Sequence, residues 1–195
     1  MKTIVKDSTN KDNVKIYGGK TALIEAATNG HLKVVNLLLR KGAFIDAKDK
    51  FGRTALYMAA ASGKEECVET LIEENADIRI QDKTGKTALH AAALKGHVGI
   101  LGQLIDRLRE NPGGIKEGGT MISQLWADLE DNDGFTPLQW AAYSGHEGCV
   151  EILTLANPEE IVTYFKETNT TFSPAHCAVF KNQIQCHLKK VTFLQ

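Results

Sequence analysis

The stretch Gly52-Arg53-Thr54-Ala55-Leu56 decides the fold, because the same pattern recurs along the chain. Each clear copy carries a threonine at its centre, and these threonines are Thr21, Thr54, Thr87 and Thr136. The first three lie 33 residues apart, and the fourth follows after 33 residues plus an insertion of 16. A fifth, weaker copy lies at Phe172-Ser173-Pro174-Ala175-His176. A fixed period of this length predicts an array of stacked repeats.

Each unit predicts two helices joined by a short turn. A threonine hydroxyl accepts a hydrogen bond from the backbone at a helix start, and Pro137 and Pro174 suit the next position. His90, three residues after Thr87, has the spacing of a capping box. Pairs of alanines and then a helix-ending glycine follow, and these glycines are Gly30, Gly63, Gly96 and Gly145. A second helix carries apolar residues at helical spacing, and we expect its Leu38 and Leu71 to be buried. Residues 43–52 should form an extended, hairpin-like arm.

These recurring residues resemble those of ankyrin repeats, whose period and threonine motif they match. The resemblance implies an all-α solenoid of paired antiparallel helices with hairpin-like arms. We expect a disordered N-terminus at 1–11 and an atypical tail at 186–195. Between them the expected units are 12–44, 45–77, 78–128, 129–165 and 166–185. The third unit includes a glycine-rich loop at about 111–128, where Pro112-Gly113-Gly114 favours irregular structure. Because one unit cannot bury its own apolar face, stability must come from stacking.

Composition excludes several classes of protein. The 195 residues carry 23 Lys and Arg against 24 Asp and Glu, a formal net charge of −1. A general nucleic-acid binder needs an excess of positive charge, so none is expected. No apolar run approaches the length that spans a bilayer, and the opening residues turn polar too soon for a signal peptide. We therefore expect a monomeric array in the cytoplasm or the nucleus, without membrane insertion.

Patterns typical of catalysis are weak. Gly-Lys-Thr occurs at residues 19–21 and 85–87, but the first glycine of a phosphate-binding loop is replaced by Val14 and Ile80. His176-Cys177 and Cys186-His187 supply four metal-ligand types, yet adjacent ligands converge poorly on zinc. Cys67 and Cys149 share one column and are expected to be buried, and His31, His97 and His146 are expected to bridge turns. We expect no catalytic residues, no metal and no cofactor, with a Cys/His enzyme as the weaker alternative.

A binding surface remains, formed by the arm tips and the first helices, which together make the concave face of such an array. Exposed aromatic residues and arginine are the usual anchors of protein interfaces. We expect a protein partner to contact Tyr17, Lys20, Glu25, Phe51, Arg53, Met58, Lys83, Lys86, Phe135, Trp140 and Tyr143. Trp140 and Tyr143 have a structural alternative, which is packing between the fourth and fifth units. Lys20, Arg53, Lys83 and Lys86 share one edge and also define a nucleic-acid hypothesis.

Four stretches extend beyond the general repeat columns. They are Glu65-Glu66-Cys67-Val68-Glu69, Gly96-His97-Val98-Gly99-Ile100-Leu101-Gly102, Trp140-Ala141-Ala142-Tyr143 with Gly145-His146-Glu147, and Phe172-Ser173-Pro174-Ala175-His176-Cys177-Ala178-Val179. They resemble the ankyrin-repeat regulatory subunits of serine/threonine protein phosphatase 6, which are non-catalytic. The resemblance implies that the chain recruits the phosphatase, through its SAPS-domain subunit, to substrates. A general ankyrin adaptor with another partner is the alternative.

Overall fold

Helix boundaries follow the repeated threonines in the computed structural model, which describes residues 5–6, 14–15, 19–110 and 129–156. Two short strands, β1 Val5–Lys6 and β2 Val14–Lys15, pair antiparallel, with Val5 opposite Lys15. The helices of the described residues are α1 Ala22–Asn29, α2 Leu32–Arg40, α3 Ala55–Ala61, α4 Glu65–Glu73, α5 Ala88–Lys95, α6 Val98–Glu110, α7 Pro137–Tyr143 and α8 Glu147–Ala156. The expected all-α repeat solenoid is confirmed.

Hydrogen bonds at the helix ends explain why each first helix begins and stops where it does. Thr54 Oγ1 accepts from the Tyr57 backbone N–H at 3.2 Å, and Thr136 Oγ1 accepts from that of Gln139 at 3.3 Å. At the other end of α5, Gly96 adopts a φ of 77°, which a residue with a Cβ rarely adopts. The motif therefore specifies both ends of the helix within a few residues.

The helices stack in two layers. In one layer the first helices α1, α3, α5 and α7 pack in order, and in the other α2, α4, α6 and α8 do the same. The alanine pairs of the first helices are buried in the shared interior, and they are Ala26, Ala27, Ala59, Ala60, Ala92, Ala93, Ala141 and Ala142. Small side chains let neighbouring helices approach closely, so one alanine-faced surface covers the next.

The stack continues across the place where the repeat period is interrupted. Helix α6 runs to Glu110, four residues beyond the position equivalent to the end of α4, and Leu108 in the added turn is buried. Beyond the gap, α7 packs against α5 in the same order as α5 packs against α3. The predicted loop at about 111–128 lies outside the described residues, as do most of the expected N-terminal segment and the chain after 156.

Helix α2 departs from the expected burial. Leu38 and Leu71 occupy the same position in successive units, and both were expected in the core. Leu71 is fully buried, whereas Leu38 is only half-buried. The expectation for Leu38 is wrong because α2 packs against α4 on one side, while no second helix of the described chain packs on its other side.

This pair of leucines tests the stacking order. Leu71→Ala should lower the free energy of unfolding by about 2–5 kcal/mol, because it empties a fully enclosed site. Leu38→Ala should cost about half as much, because that site is open on one side. Urea unfolding at equilibrium measures both values. Equal losses would contradict the different burial of the two positions.

Candidate protein-binding surface

An aspartate builds the turn at the tip of each arm. Asp49 Oδ1 accepts from the backbone N–H groups of Phe51 at 2.8 Å and Arg53 at 2.9 Å. Asp82 Oδ1 holds the next turn in the same way, accepting from Thr84 at 2.8 Å and Lys86 at 3.0 Å. A short carboxylate side chain is well suited to bind backbone N–H groups two and four residues ahead. Each turn is therefore fixed from within.

The third turn repeats this arrangement. Asp131 Oδ1 accepts from the backbone N–H groups of Asp133 at 3.0 Å and Phe135 at 2.9 Å. The side chain of Asp131 is fully buried. Three turns, at residues 49–53, 82–86 and 131–135, thus share one construction, and we call them together the tip row.

Backbone hydrogen bonds join neighbouring turns of the tip row. The Lys83 N–H donates to the Phe51 carbonyl at 2.8 Å, and the Asn132 N–H donates to the Thr84 carbonyl at 3.0 Å. Gly85 lies where this approach is closest, since a Cβ there would be only 2.5 Å from the Asn132 nitrogen. The recurring glycine lets one turn lie directly on the next, so the tip row forms one continuous edge.

The second carboxylate oxygen of Asp49 and that of Asp131 bind nearby side chains. Asp49 Oδ2 accepts from the Arg53 guanidinium at 2.7 and 2.9 Å. Burial alone would raise the pKa of Asp49, but the bonds from Arg53 and the backbone outweigh it and hold the pKa below its usual value. Arg53 is thereby fixed beside Phe51, with its guanidinium carbon 4.6 Å from the ring centroid.

Around Asp131 a cation and a cluster of aromatic rings meet. Asp131 Oδ2 accepts from the Trp140 indole N–H at 2.9 Å and lies 3.0 Å from Lys86 Nζ. Burial raises the pKa of Asp131, but hydrogen bonds from Phe135, Trp140 and Lys86 outweigh it, so the carboxyl stays charged well below neutral pH. Lys86 Nζ also lies 4.7 Å from the centroid of the Trp140 ring.

Two more rings extend this cluster. Phe135 packs against Trp140 with ring centroids 5.3 Å apart, and Tyr143 meets Trp140 edge-on at 5.8 Å. Phe135 and Trp140 are half-buried, whereas Tyr143 is 57% exposed and Phe51 is 48% exposed. Phe51 and Phe135 thus belong to the tip row, and Trp140 and Tyr143 lie beside it, with Phe135 and Trp140 also packing within the array. Contact of these four aromatic residues with a partner stays a prediction.

The remaining predicted residues are more dispersed. Lys20 Nζ pairs with Glu25 Oε1 at 2.8 Å, and both side chains are partly exposed. Met58 packs against the core and is half-buried, and its contact with a partner stays a prediction. Lys83 is exposed on the tip row. Tyr17 lies outside the described residues.

The third residue of α5 and that of α3 each connect their unit to the next turn. His90 is fully buried; its Nδ1 accepts from the Thr87 N–H at 3.2 Å, and its Nε2 lies 3.0 Å from the Phe135 carbonyl. This pattern requires a neutral ring with the proton on Nε2, and burial lowers its pKa to about 4. Tyr57 holds the same position one unit earlier, where burial and Asp82, its hydrogen-bond acceptor, raise its pKa.

Sequence reasoning missed the three aspartates and Tyr57. Asp49 and Asp82 are 33 residues apart, and Asp131 follows with the same offset as Thr136, so the repeat itself carried the signal. An aspartate in a polar turn looks like an ordinary solvated residue in a single unit. Only the alignment of the units shows that it recurs.

The described residues contain little that favours catalysis. Cys67 and Cys149 are buried as expected, and burial raises the pKa of Cys149 to about 11, which keeps its thiol protonated. His146 Nε2 reaches the Leu94 carbonyl at 3.1 Å, a bridge of the expected kind. No group of His, Cys, Asp and Glu within the described residues is arranged to hold a metal ion. The His/Cys pairs after residue 175 lie outside that part.

The buried imidazole makes stability depend on pH. Because the folded pKa of His90 is about 4 and its unfolded value is 6.5, the unfolded chain binds more protons between these values. The free energy of unfolding should therefore fall by up to roughly 3 kcal/mol as the pH is lowered from 6.5 to about 4. Above pH 6.5 the contribution of His90 is fully present.

His90→Gln is the matched variant for this prediction. Gln139 already fills the same position in the fourth unit, where its Oε1 accepts from the Thr136 N–H at 3.0 Å. Urea unfolding of both proteins between pH 4 and 7 gives the free energy of unfolding at each pH. That free energy should change less with pH in the variant than in the wild-type chain. An unchanged pH dependence would mean that His90 does not titrate as its surroundings indicate.

Comparison with known families agrees with this architecture. A family model described as ankyrin repeats (3 copies) matches residues 1–82, 45–114 and 74–162, which together cover most of the chain. No helix among the described residues is long and apolar enough to cross a bilayer. Ankyrin repeats indicate a scaffold for protein–protein interaction. The chain belongs to the ankyrin-repeat family.

Proposed function

We propose that the chain is a non-catalytic scaffold that binds a protein partner along the tip row and the adjoining first helices. The observation that carries the proposal is a set of exposed aromatic rings held on a rigid edge. Phe51 and Tyr143 are about half exposed, and each is next to a residue that a buried aspartate binds: Arg53 is bound by Asp49, and Trp140 is bound by Asp131. Rings already held in place bury a large area at a small further entropic cost.

The charges beside these rings indicate the chemistry of the partner. Lys50 Nζ and the Arg53 guanidinium both lie within 5 Å of the Phe51 ring centroid, and Lys83 is exposed on the adjoining turn. A partner segment with an apolar side chain and nearby carboxylates would complement this arrangement. It would place the apolar group on the ring and the carboxylates near the cations.

The same contacts disfavour the nucleic-acid hypothesis. Lys20, Arg53 and Lys86 each lie within 3.0 Å of a carboxylate oxygen of the chain itself. Phosphate binding relies on cations whose charge is not already neutralised by the protein. Of the four cations in that hypothesis, Lys83 alone stays without a carboxylate partner among the ion pairs named here.

Within this proposal, we infer that the partner is a phosphatase 6-type complex and that the chain is its targeting subunit. The support is the resemblance in residues 65–69, 96–102, 140–147 and 172–179. Three of these stretches lie in described parts of the array, and residues 140–147 include Trp140 and Tyr143 of the aromatic cluster. In this role the chain acts as a monomer in the cytoplasm or the nucleus and has no catalytic activity of its own.

The test measures binding of purified phosphatase 6 holoenzyme, and of its SAPS-domain subunit, to the immobilised chain. It checks both the identity of the partner and the use of the tip row as the binding surface. The double variant Phe51→Ala, Tyr143→Ala should weaken binding by about tenfold or more, because two anchors are removed. Its melting temperature should change little, since both rings are about half exposed and neither belongs to the buried core. Glu69→Ala, at an exposed site on α4, is the control and should bind normally.

Each outcome has a distinct meaning. If the holoenzyme does not bind, the phosphatase assignment is wrong, and proteins captured by the wild-type chain but lost from the double variant would identify another partner. If the double variant binds as tightly as the wild-type chain, the tip row is not the binding surface.

A further inference from the structure

Helix α2 presents apolar side chains to solvent away from the tip row. Val34 is 45% exposed, Leu37 is 48% exposed, and Phe44, just after the turn that ends α2, is 53% exposed. Val34 and Leu37 are one helical turn apart and therefore lie on the same face. We call these three residues the end patch.

The repeat shows what covers this face elsewhere in the array. Cys67, Ile100 and Cys149 hold the position of Val34 in the later units, and all three are fully buried. Each of those later second helices has an earlier second helix packed against it: α2 on α4, α4 on α6, and α6 on α8. Val34 is exposed because no second helix of the described chain covers α2 on that side. Within the end patch, Val34 thus holds a position that packs against another second helix in the later units.

The charges around the end patch indicate what kind of partner helix would bind there. Lys33, Arg40 and Lys41 are exposed on and just after α2, and the helix sequence from Leu32 to Arg40 contains no acidic residue. Lys33 and Lys41 are each four residues from Leu37, so their ammonium groups border the apolar surface. A helix that is apolar on one side and carries carboxylates at its edges would satisfy both features.

We propose that the end patch is a second interaction surface, which binds an acidic amphipathic helix of a partner protein in the manner of a stacked repeat. It is separate from the tip row, so partner binding at one surface does not require the other. A protein helix is favoured over an anionic membrane because the Val34 position is packed by helices in the later units.

The test uses the full chain and two synthetic peptides of about 18 residues, long enough to form a helix. Both carry leucines at helical spacing; one has glutamates at the edges of the apolar face and the other has lysines. By fluorescence anisotropy the wild-type chain should bind the glutamate peptide about tenfold or more tightly than the lysine peptide. The preference should shrink with added salt, because exposed charges are screened.

Variants separate this surface from the tip row. Leu37→Glu should weaken glutamate-peptide binding by about tenfold or more while leaving the melting temperature unchanged, because the side chain is exposed. Lys41→Glu should also weaken glutamate-peptide binding, because it replaces a positive charge beside the patch with a negative one. Phe51→Ala is the matched control and should bind the peptide normally, so failure of the tip-row proposal would not affect this result.

Other results would overturn the proposal. These are no saturable binding of the glutamate peptide, equal binding of both peptides, or binding that Leu37→Glu leaves unchanged. Vesicles of phosphatidylcholine and phosphatidylserine are tested in parallel. Binding to vesicles that Leu37→Glu abolishes, without peptide binding, would make the patch a membrane surface. Concentration-dependent self-association that Leu37→Glu abolishes, without peptide binding, would make the occupant a second copy.

Discussion

The packing of one alanine-faced helix on the next is the interaction on which the rest of the structure depends. Ala59, Ala60, Ala92 and Ala93 are completely buried between first helices. Their small size sets the distance between units, and that distance brings the Lys83 N–H to 2.8 Å from the Phe51 carbonyl. A wider spacing would break these bonds between turns, and the tip row would lose its continuity. The continuity of the tip row is therefore a consequence of core packing.

Buried polar groups also make the tip row depend on the stacking of the units. His90 joins the Thr87 helix start to the Phe135 carbonyl, and Asp131 joins its own turn to Lys86 and Trp140. Each connection spans two units, so it forms only when the units are stacked in register. Buried hydrogen-bonding groups are costly when they lose their partners, which favours a single arrangement of the units. The positions of the aromatic residues at the tip row are therefore fixed by the stacking of the units.

The repeat columns made much of the fold predictable. The threonines, alanine pairs and glycines predicted helix starts, packing faces and helix ends, because each depends on neighbours within a few residues. The burial of Leu38 in the first unit was not predictable, since Leu38 and Leu71 hold the same position in the repeat but have different neighbouring helices. The sequence offered packing between the fourth and fifth units as a structural role for Trp140, but its hydrogen bond to Asp131 was missed. Its indole N–H reaches Asp131, nine residues away, and that contact follows from the fold of the arm.

A comparison of two alanine-to-leucine variants tests the central claim most directly. Ala92→Leu adds bulk between stacked helices, and equilibrium urea unfolding should show a loss of about 1–3 kcal/mol in the free energy of unfolding. Ala22→Leu adds the same bulk at an exposed position of α1, where the change should stay within about 0.5 kcal/mol. If the two variants unfold alike, close alanine packing does not hold the array together.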